Sequence, residues 1–144
     1  MTTVKQILKG KSGGVLTISP QDSIYRALEI MAKNDLGALV VVENEKVVGL
    51  FSEREYARNI ILKGKSSKAT TVSELMNSKA CYVRPEQTLD ECMVLFTEKR
   101  TRHLPVLDEG KLIGIVSIGD AVKQYTADKE LTIQQLENYI TGSL

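Results

Sequence analysis

The sequence predicts an α+β fold of two tandem β-α-β-β-α units related by a pseudo-twofold axis, with a short helix ahead of them and another behind. Three observations carry this. A shift of 65 residues lays residues 19–58 on residues 84–123 without a gap, placing Pro20 on Pro85, Leu39 on Leu104, Gly49 on Gly114 and Ser52 on Ser117. Each copy also runs through the same order of periodicities, a helical spacing followed by two β-branched runs. Finally, units of roughly 60 residues are marginal alone, so the copies bury their apolar faces on each other and leave a cleft between them.

The elements follow in order. Residues 4–8 read as a short helix, and Gly10-Lys11-Ser12-Gly13-Gly14 as a glycine-rich linker, making an N-terminal segment of residues 1–14. The first unit spans residues 15–62. It opens with a short strand at 15–18. Pro20-Gln21-Asp22-Ser23 turns into a helix whose apolar face is Ile24, Ala27, Leu28 and Met31. Asn34-Asp35 stops it. The β-branched run of residues 38–42 is a strand buried on both faces. Residues 46–51 return antiparallel, and Ser52 caps a helix running to about 62. Residues 63–78 form a polar linker with a short helix at 72–76.

The second unit, residues 79–126, repeats this. It has a strand at 81–83, a helix face of Leu89, Cys92, Met93 and Phe96, strands at 104–107 and 111–116, and a last helix from Ser117. Pro105 argues for a sheet edge or bulge. Residues 127–144 form a separate C-terminal helix. Its stripe of Ile133, Leu136, Tyr139 and Ile140 must cover something, either the module's own core or a second subunit.

Composition excludes several classes. A net charge of +1 argues against a general nucleic-acid binder. No apolar run approaches bilayer length and no secretory signal opens the chain, so no membrane association and a cytoplasmic location are expected. Two cysteines, Cys81 and Cys92, read as buried small hydrophobes rather than a disulfide. One histidine and no Cys-x-x-Cys leave too few ligands for zinc, so no metal site is expected. Gly10-Lys11-Ser12 and Gly64-Lys65-Ser66 imitate a P-loop ending, but Lys5 and Asn59 stand where its first glycine belongs.

The sharpest local pattern is Gly114-Ile115-Val116-Ser117-Ile118-Gly119-Asp120, at a strand-to-helix junction, matched by Gly49-Leu50-Phe51-Ser52-Glu53-Arg54-Glu55. Free N–H groups at a helix start attract phosphate, and a carboxylate one turn in can accept from both hydroxyls of a ribose. The same spacing is also a capping box, in which serine and acid satisfy the helix itself. For Ser52 and Glu55 both readings stand; for Ser117 and Asp120 the shorter aspartate favours a ligand. His103 with Ser117 and Asp120 imitates a catalytic triad, but no oxyanion site accompanies it. No catalytic residue is assigned and no enzyme is expected.

The duplicated unit, the Arg102-His103-Leu104-Pro105-Val106 strand and the Gly-x-x-Ser-x-x-Asp signature resemble a tandem pair of cystathionine-β-synthase (CBS) domains, a Bateman module, of the small stand-alone bacterial type. The resemblance implies a regulatory module binding an adenine nucleotide (AMP first, with ATP or NAD(H) as alternatives) in the inter-repeat cleft. It implies a homodimer that signals to an unidentified partner protein. It implies one pocket around Lys11, Ser12, Gly13, Val15, Arg102, His103, Leu104, Pro105, Ser117 and Asp120, with Asp120 on the ribose. A second pocket would be formed by Gly37, Ala38, Ser52, Arg54, Glu55, Arg58, Thr70, Thr71 and Val72, with glutamate where the pattern prefers aspartate. The rival reading is a structural dimer with vestigial pockets.

Overall fold

The computed structural model describes residues 1–11 and 14–142. Its elements are α1 (Val4–Lys9), β1 (Thr17–Ile18), α2 (Ile24–Asn34), β2 (Ala38–Glu43), β3 (Lys46–Ser52), α3 (Glu53–Tyr56), a π-helical stretch (Ala57–Ile61), α4 (Val72–Leu75), α5 (Leu89–Glu98), β4 (His103–Asp108), β5 (Lys111–Ser117) and α6 (Ile118–Thr141). The first repeat holds a three-stranded sheet ordered β1-β2-β3, and the second a β4-β5 pair.

The 65-residue period governs the backbone in detail. Ser23 and Thr88 cap α2 and α5 through their hydroxyls. Asp35 and Arg100 both adopt the left-handed conformation after those helices. Each hairpin carries a register shift at the same place, between Val41 and Val42 and between Val106 and Leu107. Pro105 therefore does not cause the bulge, since the first repeat has it without a proline. The proline acts elsewhere. Thr17 and Ile18 pair in parallel with Val40 and Val41; in the second repeat only Val83 pairs, with Val106. Pro105 stands where Val40 stood and has no N–H to continue the ladder. The expected strand at 81–83 is thus reduced to one bridge.

Both hairpin turns have positive φ at their two central residues, Asn44 and Glu45 in one and Glu109 and Gly110 in the other, the type I′ geometry that suits strand twist. Glu45, at φ 65, holds a conformation that glycine adopts freely. Glu45→Gly is expected to raise stability by about 0.5–1 kcal/mol, the relief of left-handed strain less the entropy glycine adds to the unfolded chain. A urea midpoint that falls instead would show that Glu45 is not strained.

Two short leaders cross between the repeats. α1 docks on the second: Val4 N–H donates to Gln87 O, Lys5 N–H to Pro85 O, and Leu89 N–H to Thr2 O. α4 makes the equivalent bonds on the first: Val72 N–H to Asp22 O, Ser73 N–H to Pro20 O, and Ile24 N–H to Thr70 O. Val4 and Ile7 accordingly lie in the second repeat's core with Leu104, Val106 and Val116. Val72 and Leu75 lie in the first, with Leu39, Val41 and Phe51. Two glycines permit the close approach. A Cβ on Gly114 would stand 2.7 Å from a Leu8 methyl, and one on Gly49 3.0 Å from the Met76 sulfur. Between the repeats, Ala38, Val40 and Leu50 pack with Val15, Leu112 and Ile115 to fill the middle of the seam.

Two expected helices differ. The helix expected from Ser52 to about residue 62 is α-helical for four residues and then π-helical. The Asn59 side-chain amide donates to Glu55 O at 3.1 Å, an intrusion into the backbone ladder of the kind that widens a helix. The separate C-terminal helix does not exist as such: the last helix of the repeat and the terminal helix are one, the 24-residue α6. Side chains knit the expected boundary, with Gln124 donating to Asp128 and Thr132 donating to the Asp128 carbonyl. Of the apolar stripe, Ile133 is 55% exposed, Leu136 58%, Tyr139 85% and Ile140 81%, so within one chain it does not dock on the module's own core. Cys81 and Cys92 are free thiols. Among the described residues no helix is long and apolar enough to cross a membrane.

Candidate functional site

The site residues sit on two corners, where β3 enters α3 and where β5 enters α6. A strand that ends on a serine with extended backbone, followed by an acid three residues later, is sequence chemistry for a capped helix start. Both corners realise it. Ser117 N–H donates to Asp120 Oδ2 at 2.9 Å, and Asp120 N–H to Ser117 Oγ at 3.0 Å. Ser52 donates to Glu55 Oε2 through its N–H at 3.0 Å, and through its hydroxyl as well. The corners differ in what else reaches the acid. Glu55 has its serine's hydroxyl turned onto it. Asp120 receives Lys11, whose ammonium lies 2.7 Å from Oδ2 and donates also to Ile115 O at 2.8 Å.

Lys11 follows α1, the crossing leader, so the ion pair joins the chain's first segment to the second repeat. Burial works to raise the Asp120 carboxyl, but the Lys11 ammonium and Ser117 N–H outweigh it and hold the group below its ordinary value. The pair is partly open, Lys11 being 33% and Asp120 24% exposed. A cavity of about 70 Å³ lies beside it, lined by Leu8, Lys11, Gly14, Val15, Gly114 and Ile115 among others.

A second cavity, about 90 Å³, lies at the other corner. Ser52, Arg54 and Glu55 line it from the first repeat, and Arg100, Arg102 and His103 from the second. Arg54 donates to the Arg100 carbonyl and so ties the repeats together. Arg54, Arg100 and Arg102 also line a wider cleft of about 520 Å³, together with Arg58 and with Phe96 and Ile118 as apolar surface. Both small cavities fall short of the ~300 Å³ usual for a small-molecule pocket; the arginine-lined cleft does not.

The structure gathers most of the expected residues and rearranges some. Lys11, Val15, Ser117 and Asp120 stand together, while Ser12 and Gly13 lie outside the described residues. Arg102 and His103 line the Ser52 cavity. Leu104 is buried within the second core, away from the seam, and Pro105 is buried as well. Ala38 lies in the seam's apolar packing. Gly37 backs onto His103, where a Cβ would stand 3.3 Å from Nε2. Thr70, Thr71 and Val72 do not line the Ser52 cavity, because their backbone is committed to the start of α2. Asn77 takes that place instead, paired with the backbone of Leu50. Sequence reasoning missed Asn77, Lys99, Arg100 and Thr101. Arg100 had a signal, its register with Asp35 at the residue just past each first helix.

His103 lies among both corners' charges. Burial lowers its affinity for a proton, Lys11 and Arg102 add to the effect, and Asp120 and Glu55 oppose it, leaving the ring below its ordinary 6.5. The unfolded chain therefore takes up a proton as pH falls below about 6.5 while the folded chain resists it, and stability is lost in that window. His103→Gln is expected to flatten stability between pH 5 and 7.5 in urea titrations. An unchanged pH profile would place the loss on another group.

Fold and corners together define a class: a pseudo-symmetric repeat pair whose strand-to-helix junctions meet at a polar seam. A family model described as the CBS domain matches residues 4–62 and again 72–127, and the chain belongs to the CBS-domain family. The mitochondrial CBS domain-containing protein CBSX3 of Arabidopsis thaliana is 37% identical, over 98% of this chain and 73% of its own. A solved CBS-domain protein from Burkholderia ambifaria is 52% identical with a TM-score of 0.85, covering 88% of this chain and 96% of that one. The CBS domain pair of MJ0100, solved in complex with 5′-methylthioadenosine and S-adenosyl-L-methionine, has a TM-score of 0.78 over 89% of this chain and 98% of that one. At 22% identity, that last likeness is one of fold.

Proposed function

We propose that this chain is a regulatory module that binds an adenosine-bearing ligand at the seam between its repeats and signals to a partner protein, without catalysis of its own. The observation that carries this is the Asp120 corner. An ionised, partly exposed carboxylate stands on a helix start at the seam, beside a partly exposed cation rather than sealed in apolar packing. A ribose diol suits such a carboxylate, and the arginine-lined cleft suits phosphate. The adenosyl ligands of the MJ0100 pair speak for the adenosine part of the ligand. AMP is the first ligand to test, with ATP and NAD(H) next, because Arg54 and Arg58 offer charge for further phosphates. The seam cavities are small, so binding opens them, and a ligand shifts that equilibrium only by its preference for the open form. The exposed stripe of α6 is the surface we assign to homodimerisation.

One observation favours the rival reading of a structural dimer. Glu55 is engaged by both polar groups of Ser52, so the first-repeat corner reads as a helix cap alone. Calorimetry with AMP, ATP, NADH and S-adenosylmethionine separates the two. Heat that saturates with any of them supports the sensor; none at millimolar ligand leaves the structural dimer.

A further inference from the structure

Asp120 presents its two oxygens unequally. Oδ2 accepts both the Lys11 ammonium, at 2.7 Å, and the Ser117 N–H, at 2.9 Å. Oδ1 has no partner among the described residues. A carboxylate that grips a ribose diol uses both oxygens. Oδ1 is ready for the first hydroxyl, and the second meets an Oδ2 already filled by two donors, of which the Lys11 side chain, unlike the backbone N–H of Ser117, can swing away. This is also the only ion pair among the described residues, so no second acid already shares the cation.

The displaced ammonium does not leave the seam. Its second bond, to Ile115 O at 2.8 Å, anchors it to the edge of β5. It is then a partly buried cation that has lost its counter-charge, within electrostatic reach of a histidine that resists protonation. What it requires is an anion within one ribose of the diol. The ligand's own 5′-phosphate supplies one, within the swing of a four-carbon side chain. An uncharged nucleoside breaks the pair and returns nothing. A sulfonium at the 5′ carbon brings a second cation to the same place, and the carboxylate of S-adenosylmethionine is held away from it at the far end of the methionine chain.

We propose that Lys11 is the residue that selects the ligand, restricting the Asp120 site to adenosines that carry a 5′-phosphate and turning away uncharged and cationic ones. This rests on the adenosyl reading above and goes further, because it names the ligand class and the residue that sets it. The selection is local electrostatics: one cation exchanges a protein carboxylate for a ligand phosphate, and only ligands able to complete the exchange bind well.

The test compares dissociation constants of AMP, adenosine and S-adenosylmethionine for the parent and for Lys11→Met, a change that keeps length and removes charge. The parent is expected to prefer AMP over adenosine by about tenfold or more, the worth of one charge-assisted hydrogen bond. In Lys11→Met, adenosine and S-adenosylmethionine are expected to bind about tenfold more tightly, AMP to weaken, and the preference to collapse. Lys11→Arg is expected to keep it. A ratio of AMP to adenosine affinity that is the same in parent and Lys11→Met overturns the selection while leaving the adenosyl reading intact. Absence of binding by all three compounds to the parent overturns both. Should Lys11→Met not fold, Lys11→Gln decides on the same ratios.

Discussion

A chain lacking residues 1–9 is expected to lose amide protection first and furthest in the second repeat, the part of the molecule most distant from the cut in sequence. Val4 and Ile7 are core residues of that repeat, each worth about 2 kcal/mol of burial. Three backbone hydrogen bonds join the leader to residues 85–89, each worth about 1 kcal/mol. Their combined loss is comparable with the lower end of the 5–15 kcal/mol that holds an ordinary domain together. Hydrogen exchange read segment by segment checks it. The expected pattern is exposure of α5, β4 and β5 with α2, β2 and β3 retained longer. Uniform exchange, or exchange led by the first repeat, would show that the crossed docking does not carry the second core.

Asp120→Ala is expected to cost about 1.5–3 kcal/mol of nucleotide affinity, the range for hydrogen bonds to a charged group. The fold should survive. The substitution removes a helix cap, worth about 1 kcal/mol, and an ion pair partly open to water, worth less than about 1 kcal/mol. Melting and calorimetry on the same preparation separate the two effects. A variant that melts lower but binds as well as the parent would move the ribose to another group. A variant that binds nothing and is unfolded is read through Asp120→Asn, which keeps the size and can still cap.

The repeat itself was plainly legible, because a period of 65 residues fixes turn, cap and strand positions together. Ser23 with Thr88, Ser52 with Ser117 and Asp35 with Arg100 all fell where the period puts them. The leaders' crossing was written in the sequence at a different spacing. Thr2-Thr3-Val4 recurs as Thr70-Thr71-Val72, a shift of 68, outside the ungapped block. The choice of repeat on which each leader docks is a long-range matter that no local pattern encodes. The junction of the last two expected helices was misplaced because the period ends near residue 123 while helix-forming sequence continues without proline or glycine to 141. The π-helical stretch depends on where one asparagine amide points, which residue identity does not state.

The candidate site was legible in part for the same reasons. Ser117 and Asp120 were marked by spacing within one corner. Lys11 was expected in the same pocket with no role assigned to its side chain, and its ammonium is what reaches Asp120, across 109 residues of chain. The change of wall from Thr70–Val72 to Asn77 follows from α4's commitment to α2. The corner glutamate, Glu55, read equally as cap or ligand group because both roles use the same atoms; the structure shows the cap.

The unbroken α6 has a mechanical consequence. Asp120 sits in its first turn, and the uncovered Leu136, Tyr139 and Ile140 lie ~24–30 Å further along a single stiff rod of 24 residues. A tilt of about 10° at the inner end swings Ile140 through ~5 Å, about the pitch of one helical turn. Had a hinge divided the rod near residue 127, the same tilt would have been absorbed there.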